Sequence, residues 1–344
     1  MGGYNFKKIT MKQIALITDT HIGEDNYEEV ASVFEQLFEQ CLELEINTIY
    51  HLGDVFHSRK GQSDTVLNAW GHILNLMEQR YDLKMICIVG NHDKLNQEND
   101  SSFLTPFSQH KNFILIEQND SVLVEDTMMN FISYFPNEKQ QRLVDCCKNH
   151  EGIKSVLLTH ADVKGFKMNG AAVSEHGFDQ GALSQFDLVL VGHYHDISEI
   201  GNIKYIGAGL QHNFGEHPIK GFTILDVDTL ETQLVPLKSK RYLTIKADPN
   251  DLRNIQKLDE GSKDSYRVEV VLDESEVAGK SSDLKALKEM GYSIKVKKEV
   301  SVSDVLASNQ EANQINEKGL LDLLKEFCEE KSYKFETLKQ YFNV

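Results

Sequence analysis

Five short apolar runs in this chain each stop on residue types that bind metal ions. Lys12–Thr18 leads to Asp19-Thr20-His21, Thr48–Leu52 to Gly53-Asp54, and Met85–Val89 to Gly90-Asn91-His92-Asp93; Ser155–Thr159 leads to His160, and Asp187–Val191 to Gly192-His193-Tyr194-His195. Continuous apolar runs of this length suit strands covered on both faces. Between the first three runs lie segments of helical period. Tyr27–Leu44 carries Val30, Phe34, Leu37, Phe38, Cys41 and Leu42 on one side, and Asp64–Arg80 follows the second run. Strand, helix, strand, helix, strand predicts a parallel sheet with crossover helices. In such sheets ligand groups collect beyond the carboxyl ends of the strands. Strand alternation would aim Asp19 and His21 the same way. Each motif alone has a plainer reading, with His160 a core histidine and Asn91 a turn former. Their joint placement at strand ends favours a site. Imidazole nitrogens mixed with carboxylate and amide oxygens suit manganese, iron or zinc better than calcium. One carboxylate, Asp54, can bridge two divalent ions about 3.5 to 4 Å apart.

Further along, Phe113–Ile116, Ser121–Glu125 and Met129–Phe135 are short and separated by polar turns such as Asn119-Asp120, which predicts antiparallel strands. A helix is expected over Asn137–Lys148. Gly221–Leu225 and its neighbours are expected in a second sheet packed on the first. At 344 residues the chain has room for two domains, and 40% hydrophobic with 26% charged residues is ordinary for a globular protein. No apolar run approaches the roughly 18 residues of a membrane span. The first ten residues lack the apolar core of a signal peptide. Five cysteines without a CxxC pair predict free thiols in a reducing compartment. A net charge of −17 argues against broad attachment to nucleic acid by the chain's own surface. Bound cations or a partner subunit can supply that charge instead.

The series Asp19-x-His21, Gly53-Asp54, Gly90-Asn91-His92-Asp93, His160 and Gly192-His193-x-His195 resembles the calcineurin-like metallophosphoesterase superfamily over residues 11–236. The resemblance implies an α/β fold of two packed mixed sheets flanked by helices. It implies two divalent ions, most simply Mn2+, one held by Asp19, His21, Asp54 and His195 and the other by Asp54, Asn91, His160 and His193. His92 would stand near the scissile phosphate as general acid, with Asp93 orienting it and His57 assisting. Phosphoprotein phosphatases of the superfamily carry Gly-Asp-x-x-Asp-Arg-Gly. This chain has Gly53-Asp54-Val55-Phe56-His57-Ser58-Arg59 instead, which is similar to the SbcD family of nuclease subunits and to phage recombination endonuclease subunits. That likeness implies a metal-dependent DNA exo- or endonuclease in recombination and repair, in the cytoplasm of a bacterial or phage-infected cell. Gly207–Glu216 and Lys220-Gly221-Phe222 also match, although Gly209-Leu210 replaces the Gly-Ser-Pro usual there. A phosphoesterase acting on nucleotides or phosphoproteins is the alternative, and a scaffold without catalysis ranks last because every ligand position is filled.

Beyond Pro236, the basic stretch Lys238-Ser239-Lys240-Arg241 reads as a linker able to touch a DNA backbone. Strands are expected over Arg241–Lys246, Ser265–Leu272 and Tyr292–Glu299, with helices over Asn250–Leu258 and Ser282–Met290. This unit, 241–300, resembles the small α+β capping domain of SbcD-type nucleases. Residues 301–318 are polar, as a tether would be. Residues 319–344 carry two apolar stripes at helical spacing, suited to helix-in-groove docking or, alternatively, to folding back on the 241–300 unit. The resemblance implies that this tail binds an SbcC-type coiled-coil ATPase. Val66, Leu67, Trp70, Ile73, Leu74, Leu76 and Met77 make a wide stripe, and a homodimer with Trp70 or its neighbours at or near its contact is expected, the alternative being that the whole stripe is core.

Overall fold

A computed structural model describes residues 12–147, 150–168, 172–256 and 263–298. These residues fall into two compact units, one within 1–243 and 261–266, the other within 244–260 and 267–344. The expected tether over 301–318 and the helices over 319–344 lie outside the described residues.

The first unit opens with β1 (Gln13–Ile17), α1 (Tyr27–Glu43), β2 (Thr48–His51), α2 (Asp64–Gln79) and β3 (Lys84–Ile88), the alternation expected from sequence. Ser63 caps α2 by accepting from Val66 N. β1, β2 and β3 pair in parallel, with Ala15 opposite Ile49 and Tyr50 opposite Ile86. β4 (Phe113–Ile116) also pairs in parallel, Met85 opposite Phe113, which corrects the antiparallel expectation. The connection before it contains a 3-10 turn, Thr105–Gln109, and is long enough to bring the chain back to the same end of the sheet.

β5 (Asn119–Val124) and β6 (Thr127–Ile132) form an antiparallel hairpin in which Asn119 and Asp120 are strand residues. Its turn falls at Glu125-Asp126, where Glu125 adopts φ 50°. α3 (Asn137–Asp145), β7 (Lys154–His160) and β8 (Leu188–Gly192) follow, with β6, β7 and β8 parallel. β9 (Ser198–Ile200) and β10 (Ile203–Tyr205) extend the sheet past β8. β11 (Gly221–Asp226) then returns to pair antiparallel with β1, and β12 (Thr232–Pro236) lies beyond it. Gly221–Leu225 therefore belongs to the first sheet and not the second. The two six-stranded sheets run β12-β11-β1-β2-β3-β4 and β5-β6-β7-β8-β10-β9. The fold is α/β, two mixed sheets flanked by helices.

The alternation of strand side chains divides the core into layers. Ile14, Leu16, Tyr50, Ile86 and Ile88 face Met129, Phe131, Val156, Leu158 and Leu190 across the space between the sheets. Ala15, Ile17, Ile49, Met85 and Cys87 face the other way, onto Phe34, Phe38, Trp70 and Met77 of α1 and α2. This is why these runs are apolar throughout. Trp70 is completely buried among Phe34, Phe56 and Phe113, so of the stripe expected near a dimer contact Trp70 itself is excluded and its neighbours are not. Its stripe faces the sheet, and Leu67 and Leu76 are its partly exposed members.

The remaining sheet has the order β13 (Tyr242–Ala247), β14 (Ser265–Leu272), β15 (Ser293–Lys298), with β14 and β15 parallel. α4 (Glu274–Glu289) starts earlier than Ser282, because Asp273 and Glu276 form a reciprocal capping box. The helix expected from Asn250 is a 3-10 turn, Leu252–Asn254, among the described residues. Asp251 and Asn254 bond to each other there, the local bonding that competes with an α-helix. Arg241 is paired with Asp264 through both Nε and Nη2, so the charge expected to face a DNA backbone is engaged in an ion pair. Among the described residues no helix is long and apolar enough to cross a membrane.

Candidate metal centre

The site residues lie just beyond strand ends of both sheets, so the centre sits on the seam between them. β1 ends at Ile17 and β2 at His51, and the loops that follow run side by side: Asp19 N donates to Gly53 O at 3.0 Å and His21 N to Asp54 O at 3.1 Å. Asp19, His21, Asp54 and His193 have φ of 52°, 44°, 54° and 104°. Left-handed backbone at such residues costs about 1–3 kcal/mol each and clusters at functional sites. The convergence of Asp19 and His21 therefore comes from a left-handed turn past the strand, and not from strand alternation. Glycine precedes the key residues because the loops nearly touch. Gly53 has φ 90°, and a Cβ on Gly90 would come within 2.2 Å of both Asp54 N and Oδ1.

Three groups of side chains each bring ligand atoms close enough for one ion: Asp19, His21 and His195; His21, Asp54 and His92; Asp54, His160 and His193. His21 Nε2 lies 3.3 Å from His195 Nε2, 3.8 Å from Asp19 Oδ1 and 3.7 Å from Asp54 Oδ2. His160 Nε2 lies 3.4 Å from Asp54 Oδ2 and 3.0 Å from Asn91 Oδ1, which is also 3.1 Å from His193 Nδ1. The structure thus brings together Asp19, His21, Asp54, Asn91, His160, His193 and His195, with Asp54 between the two halves.

Hydrogen bonds on the far side of the rings decide which atoms face inward. His160 Nδ1 donates to Leu52 O at 2.8 Å, which leaves Nε2 as the lone-pair atom in the neutral ring. Asp19 Oδ2 accepts from His193 N at 2.9 Å, whereas Asp19 Oδ1 is buried with no partner. Lone pairs on His160 Nε2, His193 Nδ1 and Asn91 Oδ1 meet without a proton donor among them when the rings are neutral. Converging acceptors with an orphaned carboxylate oxygen fit divalent cations. Burial opposes charge on both Asp54 and His160, but their mutual attraction outweighs it. Asp54 is held well below the usual carboxylate range, and His160 is raised to about 9, a positive charge on the ring that a cation beside Asp54 would replace. His21 is driven well below its ordinary value, chiefly by burial, and stays a neutral donor.

His92 lies at the mouth. Its Nδ1 is 2.6 Å from His57 O, its Nε2 2.8 Å from Arg59 Nη2 and 4.0 Å from Asp54 Oδ2. Burial lowers its pKa more than Asp54 raises it. Of His57, the carbonyl oxygen holds His92; the ring is exposed, 6.1 Å from the His92 ring. Asp93 does not touch the His92 ring. Its carboxylate accepts from Phe56 N and Gly90 N, both at 2.9 Å, and clamps the loops after β2 and β3 together. Any part it plays in orienting His92 runs through the loop that carries both residues. Burial and the Asp54 charge raise it to about 7. His51 is fully buried, accepting from Gly53 N at 3.2 Å.

Sequence reasoning did not assign Asp162, His212, Glu216 or Lys220. Glu216 Oε1 lies 2.9 Å from His195 Nδ1, and Lys220 Nζ lies 3.2 Å from Glu216 Oε2. His212 Nε2 bonds Asp19 O at 2.8 Å, its ring 5.0 Å from His21. Burial, with the nearby His195, lowers it to about 4. Asp162 Oδ1 lies 3.2 Å from His193 Nε2. The signals were present as His160-x-Asp162 and the loop Gly207–Glu216, but neither spacing reveals which strand end it will meet.

A family profile described as calcineurin-like phosphoesterase matches residues 12–196. The chain is similar to a putative phosphoesterase of Invertebrate iridescent virus 6, 28% identical over 249 residues, which are 68% of this chain and 82% of that protein. It is also similar to exonuclease subunit 1 of Enterobacteria phage T4, 24% identical over 196 residues and spanning 56% of each. This chain thus matches little more than half of the phage protein's length. A solved dimetal phosphatase from Danio rerio aligns at 10% identity with a TM-score of 0.37, covering 64% of this chain and 93% of the other.

Proposed function

The chain belongs to the calcineurin-like phosphoesterase family, and from that premise we propose that it is a two-metal DNA nuclease of the SbcD type. The observation that carries the reading is a chain of three ligand groups: Asp54 stands with His160 and His193 in one and with His21 and His92 in another, and His21 stands with Asp19 and His195 in the third. Asp19, His21, Asp54 and His195 would hold one divalent ion, and Asp54, Asn91, His160 and His193 the other, with manganese suited to the donor set. Bound there, the ions would supply activation of a water near neutral pH and positive charge against the phosphate. The rest is done by the chain's own groups. His57 O fixes the His92 ring so that Nε2 faces the mouth. There it would give a proton to the leaving oxygen, a phosphate's negative charge favouring the protonated ring. Arg59, beside the same nitrogen, would bond the phosphate oxygens.

The name of the phage relative, exonuclease subunit 1, favours DNA as substrate and a place in a larger assembly. We extend the proposal to recombination and repair with a coiled-coil ATPase bound through residues 319–344, and to a homodimer whose contact excludes Trp70. The domain limits 11–236 and 241–300 belong to the same proposal. The iridescent-virus relative's name favours a second reading, a phosphoesterase acting on nucleotides or phosphoproteins. Labelled duplex and single-stranded DNA, a mononucleotide and a phosphopeptide, each with manganese and with magnesium, separate them. Manganese-dependent DNA cleavage is expected; turnover confined to the small substrates would overturn the nuclease reading.

A further inference from the structure

We propose that Asp162 and Glu216 are positioning residues that fix opposite tautomers in His193 and His195, so that the two rings of one tripeptide present different nitrogens to different cations. The inference rests on the dinuclear reading of the site. A carboxylate only accepts hydrogen bonds, so a neutral imidazole beside it places its single proton on the facing nitrogen. For His195 that nitrogen is Nδ1, 2.9 Å from Glu216 Oε1, and Nε2 is left to face His21 Nε2 at 3.3 Å. For His193 it is Nε2, 3.2 Å from Asp162 Oδ1. Nδ1 is left to face Asn91 Oδ1 at 3.1 Å and His160 Nε2 at 3.2 Å.

Both carboxylates are themselves anchored. Glu216 is only 6% exposed, and its oxygens are bonded by His212 N at 3.1 Å, Asn213 Nδ2 at 2.6 Å and Lys220 Nζ at 3.2 Å. Asp162 Oδ1 accepts from Tyr194 OH at 2.8 Å, so the residue between the two histidines helps hold the partner of the first. With identical tautomers, one ring would turn an N–H toward its ion and that ligand would be lost. Carboxylates behind metal-binding histidines typically account for about ten- to hundred-fold in metal affinity.

The test uses the full chain, 15N-labelled and stripped of metal, with His193 and His195 assigned from the His193→Gln and His195→Gln variants. Long-range proton–nitrogen spectra are expected to show His195 protonated at Nδ1 and His193 at Nε2. Titration calorimetry with Mn2+ then follows Glu216→Leu and Asp162→Leu. Each should weaken one of the two ions by about ten- to hundred-fold and leave the other near its original affinity. Glu216→Gln and Asp162→Asn, whose carbonyl oxygens still accept, should keep the tautomers and recover most of the affinity, which a mere loss of packing would not allow. Matching tautomers in the two rings, unchanged binding in both leucine variants, or equal weakening of both ions in each folded variant would overturn the proposal. Absence of DNA cleavage by the unaltered chain would overturn the nuclease reading and leave the tautomer result standing.

Discussion

At the scale of single residues, function separates by where each atom points. Asp54→Ala is expected to lose bound metal together with activity, since Asp54 Oδ2 lies between the two ligand groups. His92→Ala should retain both ions and lose about 10²- to 10⁴-fold in kcat, as removal of a general acid does; elemental analysis of the two variants checks this. Gly90→Ala is expected to behave like Asp54→Ala. Its new Cβ would meet Asp54 N and Oδ1 at 2.2 Å, and the carboxylate must shift. A Gly90→Ala variant that binds two Mn2+ at wild-type affinity would refute that steric account. The ligand types were legible because aspartate, asparagine and histidine at strand ends have few other reasons to recur. The work of Asp93 was not. The family resemblance implies that Asp93 orients His92 without saying how, and the turn sends its carboxylate to the backbone N–H groups of Phe56 and Gly90.

At the scale of elements, the helical stripe of α2 is apolar as its spacing shows, and its width comes from two neighbours and not one. A stripe with Val66, Trp70, Ile73, Leu74 and Met77 looks wide for one interface, yet α1 and the first sheet together cover it. Trp70→Ala should therefore cost about 3–5 kcal/mol in denaturant unfolding and leave the molecular mass in light scattering unchanged. Thiols test the same layering. Burial pushes Cys41 up to about 12 and Cys87 well above its ordinary value, while Cys146 at the end of α3 is exposed. Because the thiolate is the reacting form, iodoacetamide at neutral pH should mark Cys146 well before Cys41 or Cys87 by peptide mass spectrometry. Raising the pH toward 9 leaves Cys41 protonated, and so unreactive unless the protein unfolds. Strand existence was legible from apolar runs, whereas partner and direction were not. β4 and β11 carry no local mark of the strands they join, and the turn at Glu125-Asp126 looks no different in sequence from Asn119-Asp120. The start of α4 was legible after all, in Asp273-x-x-Glu276.

At the scale of the whole molecule, catalysis and partner binding are expected to be separable. Removing residues 319–344 should leave metal-dependent cleavage by the isolated chain within about two- to threefold, the ordinary context scatter of such effects, while abolishing co-purification with the ATPase. Unchanged affinity for that partner would reassign the docking element. The division of the centre between the two sheets has a consequence in time. Asp19 and His195 stand at opposite ends of the ligand series, and His193 N reaches Asp19 Oδ2 across a sequence separation of 174 residues. Contacts so distant in sequence form late, after the intervening chain has been made and packed. A ribosome-bound polypeptide that has not yet emerged past His195 lacks a member of one candidate ligand group, and short of His193 it lacks members of two. The ligand groups are thereby incomplete through most of synthesis without any inhibitor, and the unit that holds them closes only when β11, later still in the chain, pairs with β1.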